Sequence, residues 1–64
     1  MEPNDKDIII ELVSRYPIKE IVAYLSELSL YHASVMSDLM LPEAAKEWSE
    51  KGMILHEAAG ILKK

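Results

Sequence analysis

Residues 18–62, IKEIVAYLSELSLYHASVMSDLMLPEAAKEWSEKGMILHEAAGIL, decide the fold. The positions 18, 21, 25, 28, 32, 35 and 39 hold Ile, Ile, Leu, Leu, His, Val and Leu, an unbroken three-four spacing with one polar member. A helix returns side chains to one side at that period, so the segment predicts a long helix with a heptad stripe. Leu41-Pro42-Glu43 interrupts it. Proline, with a fixed φ and no amide hydrogen, suits the first position of a helix, so a tight corner is expected there, with Glu43 and Glu47 near the positive end of the next dipole. The spacing then resumes at Ala45, Trp48, Gly52, Leu55, Ala59 and Leu62, and Lys63-Lys64 suits the negative end of that helix.

A tight corner would set the two stripes face to face. Leu39 then pairs with Ala45, Val35 with Trp48, His32 with Gly52, Leu28 with Leu55, Leu25 with Ala59, and Ile21 with Leu62. Large residues mostly meet small ones, which lets layers interdigitate, and the small residues at 45, 52 and 59 let the two backbones approach closely. Toward the N-terminus, Tyr16-Pro17 marks a joint, because the residue before a proline is driven out of the α region. Ahead of it Ile8, Ile9, Leu12, Val13 and Tyr16 share one arc of a helical wheel, with Asn4 or Asp5 available as a cap and Asp7 in the first turn. The expectation is an all-α single domain over 1–64, with helices at about 5–15, 17–40 and 43–62. It is a short N-terminal helix followed by a long antiparallel helical hairpin.

Size argues that this unit needs support. The chain has 64 residues, half of them apolar, with 7 Lys and Arg against 11 Asp and Glu for a net charge of −4. A domain of this length hides only roughly 60% of the surface its unfolded chain exposes, and one small core rarely contributes more than about 3–5 kcal/mol. The sequence has no Cys, hence no disulfide and no thiolate zinc site. Association is the support that remains. Apolar residues are also left over: Val22, Met36 and Met40 flank the stripe of the second helix on one side, Ala23, Leu30, Ala33 and Leu41 on the other, and Met53, Ile54 and Ile61 lie off the stripe of the third. Homodimerisation is therefore expected to complete the bundle, with Tyr24, Leu30, Tyr31, Met36, Met40, Met53, Ile54 and Ile61 as interface candidates. Tyr24 and Tyr31 qualify because they stand on an otherwise polar face beside Glu20 and Glu27.

Little in the sequence points to chemistry. His32 reads as a packing residue above Gly52, since the positions three and four residues on hold Val35 and Met36 instead of a second ligand. His56 stands four residues from both Gly52 and Gly60. Each glycine costs about 0.8–1 kcal/mol relative to Ala inside a helix, so His32, Gly52, His56 and Gly60 are read as a packing notch for a partner helix. Glu43, Glu47 and Glu50 alternate with Lys46 and Lys51, the pattern of a solvated face. With no Cys nucleophile, no Gly-rich phosphate loop and a single Arg, Arg15, the expectation is a protein that is not an enzyme and holds no cofactor or metal. No apolar run approaches the ~20 residues of a membrane span, and Met1-Glu2-Pro3-Asn4-Asp5 has no basic leader. A cytoplasmic protein is expected.

Ile18 to Leu25 resembles the first helix of a helix-turn-helix, with Leu28-Ser29 as the turn and Leu30 to Met40 as the recognition helix. That resemblance implies a DNA-binding regulator. Two features depart from the family's pattern: Ser26-Glu27 replaces the usual glycine turn, and the recognition segment offers Tyr31, His32, Ser34, Ser37 and Asp38 with no Lys or Arg for phosphate contact. The sequence is better accounted for as an adaptor, regulatory subunit or partner-binding module that associates with itself, and with another protein through an apolar helical face. Nucleic acid and membrane are not expected as partners.

Overall fold

A computed structural model describes residues 1–63 and shows, among them, three helices and no strand: α1 (Pro3–Arg15), α2 (Ile18–Asp38) and α3 (Pro42–Ile61). Lys64, one of the two lysines assigned to the end of α3, lies outside the described residues. α1 begins earlier than expected because Pro3 occupies its first turn, with Glu2 as an extended N-cap whose side chain makes no capping bond. Proline's fixed φ starts the helix, so Asn4 and Asp5 fall inside the helix and do not cap it. The helix ends as the sequence predicts, at Tyr16 (φ −127°, ψ 149°). Pro17, expected to open α2, is instead its N-cap, with φ −60° and ψ 143°. Two successive extended residues swing α1 outward. It makes slight contact with α2 and none with α3.

The corner between α2 and α3 forms earlier than Leu41-Pro42. The Leu41 N–H donates to the Met36 carbonyl at 2.9 Å and the Met40 N–H to the Ser37 carbonyl at 3.0 Å. Together with φ 59° at Met40 these bonds form a Schellman motif, in which glycine is the usual occupant of the left-handed position. The helix therefore stops at Asp38, before the expected Met40, and the chain reverses at Met40. Pro42 does open α3, as predicted.

α2 and α3 pack along one another as the expected hairpin. The α3 side matches expectation, with Gly52 and Ala59 buried and Ala45, Trp48, Leu55 and Leu62 half-buried. On α2 the contact face is turned by one residue, about 100° around the helix. Ser26 and Ser29 are buried and Val22, Ala33 and Met36 half-buried; of the predicted stripe Ile21 and Val35 are half-buried too, whereas Leu25, Leu28 and Leu39 remain 43%, 41% and 60% exposed. Gly52 supplies the reason. A Cβ built there would lie 2.8 Å from the Leu30 side chain and 3.3 Å from the Ser26 carbonyl, so backbone meets backbone at this point. The Ser26 hydroxyl also donates to the Gly52 carbonyl at 2.7 Å, a bond that no Leu could make. The pairing of His32 with Gly52 is thus replaced by Ser26 and Leu30 with Gly52. Ser29 satisfies its own hydroxyl on the Leu25 carbonyl, 2.9 Å away.

α2 runs unbroken through Ser26 to Ser29, so the turn that a helix-turn-helix requires is not formed. The three helices make a chain of contacts instead of closing around a common interior, and the molecule measures 38 × 29 × 14 Å. Among the described residues Ala59 is the one apolar side chain that is buried.

Candidate functional site

Two groups of large apolar side chains stand out among those that the hairpin leaves exposed. The first lines a cleft where α1 diverges from α2. Leu12 of α1 and Tyr16 at its C-cap face Ile21, Tyr24, Leu25 and Leu28 of α2, with Glu20 the one charged residue in the lining, around a volume of about 420 Å³. The cleft follows from local structure, since the extended Tyr16-Pro17 joint leads α1 away while the heptad positions of α2 point toward the gap it leaves. Its size lies within the range of ligand pockets, about 300–1,000 Å³, and its surface is almost wholly apolar.

The second is at the tip of the hairpin. Leu39, Met40 and Leu41 project there with 60%, 85% and 48% of their surface exposed, held out by the Schellman turn. Between tip and cleft the α2 stripe continues through Val35 and His32. The His32 ring sits on the Trp48 ring at a centroid distance of 4.7 Å and a tilt of 38°, and the Lys51 ammonium stands 4.8 Å from the centre of the same indole. Trp48 therefore has both an imidazole and a cation against its ring, contacts that favour its position beside the stripe. His32, expected above Gly52, is exposed and lies against Trp48 instead.

Compared with known protein families, with curated proteins and with solved structures, the chain matches none. Its own geometry has to carry the reading. Among the described residues no three His, Asp or Glu side chains converge in a way that could hold a metal ion, and no helix is long and apolar enough to cross a membrane.

The candidate residues separate into groups that sequence could not distinguish. Tyr24 lines the cleft and Met40 heads the tip. Leu30 and Met36 are drawn toward α3: Leu30 lies against Gly52, and Met36 is half-buried and supplies a carbonyl to the Schellman turn. Tyr31 is exposed, as are Met53, Ile54 and Ile61 on α3. Of the notch residues, Gly52 is filled from within the chain, whereas a Cβ at Gly60 would meet nothing within 4 Å and His56 is exposed. Leu12, Leu25, Leu28 and Leu39 were missed as surface residues because their spacing is that of a core. The signal that could have found them is the second three-four series, Val22, Ser26, Ser29, Ala33 and Met36, whose three central members are small like Ala45, Gly52 and Ala59 opposite.

Proposed function

We propose that this chain is a non-enzymatic helical interaction module that works as a homo-oligomer. One observation carries the reading: the surface left uncovered is too large for a lone domain of this mass. A compact monomer of 7.3 kDa exposes about 4,200 Å², whereas this chain exposes 5439 Å². The surplus, about 1,200 Å², exceeds the roughly 800 Å² that each partner contributes to a standard protein interface. The cleft supports contact over turnover, because its lining holds one carboxylate and two phenols, and neither His reaches it. A net charge of −4 argues against phosphate backbones as the target.

The test is absolute mass by light scattering across a wide concentration range. A dimer or larger assembly that persists on dilution into the micromolar range is the expected result. A monomer at every concentration would overturn the reading.

A further inference from the structure

Resting on that self-association, the geometry points to a specific occupant of the α1–α2 cleft: the hairpin tip of a second copy of this chain, in a two-fold dimer with the two α2 helices antiparallel. The cleft lies along the first half of α2 and the tip just beyond its C-terminal end. The cleft draws on α2 between residues 20 and 28, and the tip begins at Leu39, about 15 residues or 23 Å further along. A two-fold axis crossing α2 near Leu30 sets the tip of each copy at the Ile21 end of the other copy's cleft in one operation, satisfying the condition that residue i meets j and j meets i. In this register the partner's Leu39 lies over Ile21, the partner's Val35 over Leu25, and the partner's His32 over Leu28. A parallel pair would set cleft on cleft and tip on tip, leaving both clefts unfilled.

Size and chemistry agree with this arrangement. Removing one buried Leu side chain leaves a cavity of about 150 Å³, so a 420 Å³ cleft accommodates nearly three side chains of that size. The tip offers three: Leu39, Met40 and Leu41. It also explains why a bulky residue holds the left-handed position that glycine would fill at less cost, since Met40 supplies apolar contact that glycine cannot.

The sequence has no Cys, so introduced cysteines report without background. Positions 21 and 39 lie about 27 Å apart along one helix, out of reach of each other within a chain. A short bis-maleimide cross-linker is therefore expected to convert the Ile21→Cys/Leu39→Cys double variant into a covalent dimer, while each single variant stays uncross-linked. Single variants that cross-link as well as the double variant would show a parallel pair and overturn the inference. A double variant that fails to cross-link, while light scattering still finds a dimer, would overturn it and leave the proposed function standing; a monomer would remove both. A second readout needs no cysteine: Leu39→Glu should weaken the dimer by about 30-fold or more, whereas Ile61→Glu on α3 should change it by no more than about twofold. Equal effects at the two positions would also overturn the inference.

Discussion

On one side of α2, Ser26, Ser29 and Ala33 meet α3 so closely that a hydroxyl reaches across to a glycine carbonyl. On another, Leu25, Leu28 and Leu39 stand at the same helical spacing with two fifths or more of their surface in solvent. The comparison shows that a periodic apolar stripe marks a face that must be covered, without saying what covers it. Within this chain the closest approach goes to small residues, because Gly52 and Ala59 give up side-chain volume for backbone proximity and hydrogen bonding. The larger side chains at Leu25, Leu28 and Leu39 keep much of their apolar area in solvent, the area that the proposed association would cover.

The largest expected effect would break the small side of the comparison. Gly52→Val inserts two methyl groups where a single Cβ already meets Leu30 at 2.8 Å, and should cost about 3 kcal/mol of stability in chemical unfolding. Unchanged stability would mean the close approach is not required. The control sharpens the point: in a Leu30→Ala background, Gly52→Ala should cost less than in the parent chain, because only the Ser26 carbonyl at 3.3 Å then opposes the gain in helix propensity.

Next comes the large side. Leu25→Asp should raise the dimer dissociation constant about 30-fold, equivalent to about 2 kcal/mol, as followed by sedimentation, with helical content retained at high protein concentration. Loss of helix at all concentrations would instead place Leu25 within the chain's own core. Ser26→Ala should have a smaller effect, about 1 kcal/mol, through loss of the 2.7 Å bond to the Gly52 carbonyl, measured as a lower unfolding midpoint.

The smallest effect distinguishes local strain from association at the tip. Met40→Gly should relieve the φ 59° conformation and stabilise the isolated hairpin turn by about 0.5–1 kcal/mol, while weakening the dimer. Thermal unfolding at low and high protein concentration separates the two, and a gain at both would show that Met40 contributes nothing to the interface.

Much of the architecture was legible. The Tyr16-Pro17 joint, Pro42 at the start of α3 and the small residues at 45, 52 and 59 each follow from a local rule, namely the restriction before proline, proline's fit to a helix start and the room two backbones need. The corner was misjudged because Met40 takes a conformation that its own propensity disfavours, so nothing local marked the reversal there. With the reversal at Met40, Ser26 and Leu30 stand at Gly52 in place of His32. The cleft was illegible for a related reason: it depends on the direction in which two extended residues send α1, and no spacing within α1 or α2 encodes an angle between them.

The sequence by itself determined three helices, their order and the antiparallel hairpin, because periodicity, proline and charge act over a few residues at a time. Which of two stripes on α2 meets α3 was decided only in the tertiary structure. Both stripes satisfy the same helical period, and the choice rests on backbone proximity at Gly52, where a serine hydroxyl finds a carbonyl that a leucine could only crowd.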